Sequence, residues 1–269
     1  MANLLFMGTA SDPLSVAKQM HASGGIALEH QGILFLVNPG PGSLIRAKQF
    51  GCPLRDVSGI ILTDLTLEAA NDVNVVIDAM TYSGHDKRGI LICPREAVES
   101  DDPLVLKRSK NLLERIIIME PKKRVGIDDV EVYGLRTNRV ASIGYKFVTS
   151  EFVLSYLSDP VFSVDLFDDL MGSDIIILGL KHEANATEIN DDRLTFHQVA
   201  KIISEVKPRL AIITDFSASV INADPLLQAR LLQKETGIQV ISAKDGQALN
   251  PKTYARMRDP KEIFYKTWS

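Results

Sequence analysis

Three β-rich runs of this chain lead straight into an acid. Asp64 follows 60-IILT-63, Asp159 follows 154-LSYLS-158 and Asp215 follows 211-AIIT-214, with Glu68 one helical turn beyond Asp64. Where strands alternate with helices, ligands collect where loops leave the carboxyl ends of strands, so acids there are candidates for chemistry. Carboxylates brought together repel one another and hold their protons unless a cation sits among them. Oxygen donors suit a hard ion such as Mg²⁺, Mn²⁺ or Ca²⁺. The plainer alternative leaves each acid solvated at a loop end. The five histidines, His21, His30, His85, His182 and His197, show no HxH or HxxxH spacing, which argues against a centre built on imidazoles. His182 stands apart: it follows the apolar run 174-DIIILGL-180 and can reach the same strand-end edge to contact a ligand. The glycine-rich 38-NPGPG-42 lacks the Lys and Ser/Thr of a nucleotide loop and reads as a tight turn.

The elements that must position these residues alternate. Strands are expected at 3–8, 25–29 and 32–37, the last two as a hairpin, then at 58–63, 89–93, 115–119, 130–135, 144–148, 152–157, 174–180, 210–214 and 238–242. Helices are expected from Leu44 to Phe50, from Leu67 to Tyr82, from Thr195 to Val206 and from Asp224 to Gly237, where glycine supplies the cap. Phe196, Val199, Ala200, Ile203 and Val206 fall on one helical face. A hairpin opening followed by β-helix-β alternation implies mixed sheets with helices outside. No solenoid repeat or linker interrupts the pattern, so residues 1–269 read as a single domain.

Composition narrows the partners. Thirty basic against 34 acidic residues give a net charge of −4, which offers no electrostatic argument for a nucleic acid or an anionic membrane. A small molecule or another protein remains as the partner class, and the apolar content permits a homodimer. Cys52 and Cys93 form neither a disulfide framework nor a CxxC site. With no signal-like start and no apolar run long enough to span a bilayer, the expected location is the cytoplasm.

The segments 5-LFMGTASD-12, 23-SGGIALEHQGILFLVNPGPGSL-44, 60-IILTDLTLEAANDVNVVIDAM-80, 143-IGYKF-147, 155-SYLSD-159 and 209-RLAIITDFS-217 together resemble the metallo-β-lactamase superfamily, specifically its ribonuclease Z-like and related hydrolase branch. The resemblance spans nearly the whole chain. It implies an α/β fold, a four-layer αβ/βα sandwich of two mixed sheets with helices outside. It also implies a two-metal edge site where zinc activates water against phosphoesters, thioesters or lactams. The family pattern T-H-x-H-x-D-H stands here as 63-TDLTLEA-69, which puts Asp64, Thr66, Glu68 and Ala69 at liganding positions. The next family histidine falls on Asn138, the bridging aspartate on Asp159 and the last histidine on Asp215; only Asp159 keeps its identity. A histidine thought to protonate the leaving group falls on Arg193.

These departures predict that zinc is not held and that no cofactor is needed, so the chain reads as a fold retained for binding a ligand or a partner. Whether it is an enzyme stays open at this point. Two arrangements of the acids compete with the solvated one. A hard divalent ion held by Asp64, Glu68, Asp159 and Asp215 would give a phosphodiesterase- or thioesterase-like hydrolase. Alternatively a protein cation, Arg193 or Arg139 beside Asn138, takes the metal's place, since a guanidinium binds carboxylates through two hydrogen bonds. The second arrangement predicts an ion pair from Arg193 to Asp64, Asp159 or Asp215.

Overall fold

The computed structural model describes residues 3–187 and 191–256. The chain forms two compact units. The first comprises residues up to Glu120 with Val140–Ile143 and Lys244–Leu249; the second comprises Pro121–Arg139, Gly144–Ala243 and the residues from Asn250 onward.

In the first unit the strands are β1 (Asn3–Phe6), β2 (Ile26–His30), β3 (Ile33–Val37), β4 (Gly59–Ile61), β5 (Ile90–Cys93) and β6 (Arg115–Ile118). In the second they are β7 (Arg124–Ile127), β8 (Val130–Leu135), β9 (Gly144–Thr149), β10 (Val153–Leu157), β11 (Ile175–Gly179), β12 (Leu210–Thr214) and β13 (Val240–Ser242). A last short strand, β14 (Ala248–Leu249), returns to the first unit. The two seven-stranded sheets have orders β14-β1-β2-β3-β4-β5-β6 and β13-β12-β11-β10-β9-β8-β7. Each is antiparallel in one half and parallel in the other: β3 to β6 and β10 to β13 run parallel, joined by helical crossovers.

Helix periodicity covers one face of each sheet. Val73, Val76, Ile77 and Met80 project from helix Val73–Thr81 into a core shared with Leu36, Ile60, Leu62 and Leu91. In the second unit Val199, Ala200, Ile203 and Val206 of helix Phe196–Val206 join Ile176, Leu178, Ala211 and Ile213. That helix opens on a capping box, in which the Thr195 side chain accepts from the Gln198 backbone and Gln198 reaches back to the backbone of Thr195.

The strand β7 and several short helices, among them Pro13–Ala17 and Asp165–Leu170, go beyond the sequence expectation, and one expected helix is corrected. The helix expected over Leu67–Tyr82 is two helices, Leu67–Ala70 and Val73–Thr81. The break has a partner outside the helix. The Asp72 backbone N–H donates to Pro39 O at 2.9 Å and its carboxylate accepts the Gly42 N–H at 3.0 Å, so the turn at 38–42 draws the chain out of helical register.

Both cysteines are free and buried. Burial, aided by Glu29, pushes the Cys52 thiol up to about 11, and burial with Glu99 nearby pushes Cys93 up to about 12, from 9.0. Above pH 9 the unfolded chain therefore binds fewer protons than the folded one, so this contribution to stability is complete below pH 9 and is lost as pH rises towards 11 and 12. The stability read from urea unfolding should fall across that window by about 3–4 kcal/mol per thiol. A double variant Cys52→Ala, Cys93→Ala that loses stability just as steeply would show that other groups cause the fall.

Candidate functional site

In the first unit, the loop after β4 is braced by its own side chains. Asn38, at φ +52°, donates from Nδ2 to Thr63 Oγ1 at 2.7 Å, and its Oδ1 accepts the Thr63 N–H at 2.8 Å. The Thr63 hydroxyl donates to Asp64 Oδ2 at 2.8 Å, while Asp64 Oδ1 accepts the Thr66 N–H at 3.0 Å and the Thr66 hydroxyl at 2.7 Å. Asp64 thus closes an Asx-type turn at the start of helix Leu67–Ala70. Ala69 is buried in the apolar core. Glu68 is half-buried, and its backbone carbonyl rests against Gly40, where a Cβ would lie 2.0 Å from it.

In the second unit, β10, β11 and β12 run parallel and release Asp159, His182 and Asp215 from their carboxyl ends. Gly179 makes the close spacing workable: a Cβ there would meet Ser158 O at 1.8 Å and the Asp215 Cβ at 3.4 Å. Asp215, at φ +51° and buried, accepts the Tyr156 hydroxyl at 2.6 Å.

Two arginines converge on Asp159. Arg139 Nε donates to the Asp159 backbone carbonyl at 2.9 Å and lies 3.7 Å from its Oδ2; Arg193 Nε also lies 3.7 Å from that oxygen. Arg193 is held there by a backbone bridge to Val161 and by its N–H, which donates to Asp191 Oδ1 at 3.0 Å. Arg139 continues to Asp192 at 2.9 Å. His182 Nε2 meets Asp191 Oδ1 at 2.8 Å. Burial raises the Asp191 pKa, but hydrogen bonds from His182 and from the Arg193 backbone, with the charges of both residues, bring it below the usual carboxylate range. Asn138 is exposed at φ +56° and spans to Val161 O at 3.4 Å. The Asp159–Arg193 pair is loose, with a third of the Arg193 side chain exposed, which places it among screened pairs contributing about 1 kcal/mol or less.

The structure therefore gathers Asn138, Arg139, Asp159, His182 and Arg193 in one network of the second unit, and the pair expected from Arg193 runs to Asp159. Thr66 and Asp64 are tied to each other, and Ala69 faces apolar neighbours. Sequence reasoning passed over Asp191 and Asp192, although the run 191-DDR-193 sets two acids beside the arginine already singled out. Among the described residues no group of three or more His, Cys, Asp or Glu side chains is placed to hold a metal ion.

No family model matches the sequence. An uncharacterized protein of Methanocaldococcus jannaschii is 23% identical over 250 residues, covering 90% of this chain and 92% of its own. Among solved structures, the metallo-β-lactamase fold protein YhfI from Bacillus subtilis superposes with a TM-score of 0.78 at 13% identity over 92% of this chain and 98% of its own. Human tRNase Z, short form, superposes at 0.68 with 12% identity, covering 93% of this chain and 99% of its own. A diphosphatase from the PhnP family reaches 0.67 at 16% identity, covering 92% of this chain and 96% of its own. No helix of the described residues is long and apolar enough to cross a membrane. The two mixed sheets and these superpositions lead to one identification: this chain is a metallo-β-lactamase-fold protein.

Proposed function

We propose that residues 1–269 form one metallo-β-lactamase-like domain that has given up zinc-dependent hydrolysis and uses its strand-end region to bind a ligand or a partner. The observation that carries this reading is the environment of Asp159. Where the fold family places metal ions beside a bridging aspartate, this carboxylate faces the guanidinium groups of Arg139 and Arg193.

The donor set supports the same reading. Zinc sites that activate water rely on neutral imidazoles, which leave the ion enough positive charge to lower the pKa of bound water to about 7. The matched positions here offer carboxylates, a threonine, an asparagine and an alanine. Both Asp64 oxygens are engaged in the Thr63–Thr66 turn and one Asp215 oxygen accepts from Tyr156. These residues do not fit zinc. Arg193 carries a fixed charge and cannot cycle a proton to a leaving group near neutral pH.

Purified protein given zinc and then dialysed should retain well under one zinc per chain by elemental analysis. It should hydrolyse bis(p-nitrophenyl) phosphate no faster than buffer. Stoichiometric zinc that survives dialysis and is lost on Asp159→Ala would overturn the reading. A second reading, a hydrolase with a carboxylate-held Mg²⁺, Mn²⁺ or Ca²⁺, draws on the buried Asp159 Oδ1, which has no hydrogen-bond partner among the described residues. Stoichiometric manganese lost on Asp64→Ala or Asp159→Ala, with turnover in manganese, would favour it.

A further inference from the structure

The first unit carries a cavity of about 380 Å³ that the strand-end network does not use. It opens on one face of β1, β2 and β3. Strand alternation puts Asn3 and Leu5 on that face, opposite Glu29 and Ala27, and Leu34 is paired with Glu29 across the next ladder. The residue after helix Ser43–Phe50 closes the other wall: Gly51 caps the helix at φ +71°, and Cys52 follows with its thiol buried.

The lining sorts by polarity. Leu5, Ala27 and Leu34 are buried side chains of the lining, with Phe50 partly buried among them. Glu29 is half-buried and Asp56 exposed, so two acidic residues belong to the lining. Among the described residues that line it there is no lysine, arginine or histidine to neutralise them. The Arg55 next to Asp56 is committed elsewhere, donating to Met80 O at 2.9 Å, pairing with Asp86 and stacking on Tyr82. The carboxyl end of helix Ser43–Phe50 adds its own partial negative charge to the same wall. A volume in the range of small-ligand sites, apolar side chains in the lining and two acids with no basic residue among the described lining residues together point to the occupant.

We infer that this cavity binds a small organic monocation, an amine on an aromatic or aliphatic body of about a dozen heavy atoms, with the body against Leu5, Ala27, Leu34 and Phe50 and the ammonium at Glu29 and Asp56. The site is independent of the strand-end region, so its fate does not depend on whether zinc hydrolysis has been lost.

The test uses tryptamine and its neutral counterpart tryptophol, titrated into the full chain by calorimetry in low salt. Tryptamine should bind about tenfold more tightly than tryptophol, because only the cation gains from the two carboxylates. A Glu29→Gln, Asp56→Asn double variant should remove that preference while leaving tryptophol affinity unchanged. Ala27→Met, which fills the interior, should abolish binding of both, with folding checked by circular dichroism. Equal affinity for the two probes, no measurable binding of either, or a tryptamine preference that survives in the charge-neutral double variant would each overturn the assignment. Should Ala27→Met fail to fold, the two-probe comparison in the unmodified chain and the double variant still decides it.

Discussion

Asp169→Ala should destabilise the protein by about 3–5 kcal/mol, the range for breaking a buried ion pair from one side. Asp169 lies on helix Asp165–Leu170, only 2% exposed, and receives a planar fork: Arg136 Nε donates to Oδ2 at 2.8 Å and Nη2 to Oδ1 at 2.9 Å. The Arg136 backbone N–H adds a third bond to Oδ2 at 3.0 Å. Hydrogen bonds to Asp169, and the carboxylates around it, hold the Arg136 guanidinium firmly charged despite its partial burial. Truncation would strand both that charge and a backbone N–H. Arg136 directly precedes Thr137, Asn138 and Arg139, so the same contact fixes the segment that delivers Arg139 to Asp159. Urea unfolding should show a lower midpoint at unchanged slope. Replacing both partners, Arg136→Met with Asp169→Leu, should recover a large part of the loss. A single-variant loss under 1 kcal/mol would mean that water already shares this contact.

A comparable loss, on the order of 3 kcal/mol or more, is expected for Gly179→Ala. The added methyl would sit 1.8 Å from the Ser158 carbonyl oxygen, which belongs to the backbone and cannot swing aside as a side chain would. Relief requires β10 and β11 to part at their carboxyl ends, where Asp159 and His182 begin. Gly126 provides the control, since a methyl there meets nothing within 4 Å and no positive φ is involved. Gly126→Ala should leave the urea midpoint within about 0.5 kcal/mol of the parent. If the two substitutions behave alike, the parallel strand ends are looser than their hydrogen bonds imply.

Much of the fold is legible in the chain because its signals are local. The apolar runs at 174–180 and 210–214 become the buried central strands β11 and β12, and the face predicted for Phe196–Val206 is the one that packs. What stays hidden depends on partners far away in sequence. The break at Asp72 answers to Pro39 and Gly42, and Arg136 finds its acid 33 residues on. Periodicity carries no trace of either. At the site, the contact between Arg193 and Asp159 was accessible only through the family resemblance, which aligned an arginine with a position facing the acids. The engagement of Asp64 by Thr63 and Thr66 was readable in principle, because an Asp two residues before a Thr at a helix start is a common local brace.

The return of β14 to β1 has a consequence for how the chain is made. Leu4 and Leu5 pair with Leu249 and Ala248, Phe6 exchanges backbone hydrogen bonds with Gln247 and Gly246, and Asp245 accepts the Thr9 hydroxyl and the Ala22 N–H. The strand β1 therefore waits for residues about 240 positions further along to be synthesised before its outer edge is covered. Until then it offers a row of unpaired peptide groups flanked by Leu4, Leu5 and Phe6, the kind of edge that recruits a neighbouring chain. A nascent or proteolysed chain ending before Lys244 would keep both halves of the central pairing in each sheet yet carry a sticky margin, making the segment 244–249 a guard against aggregation.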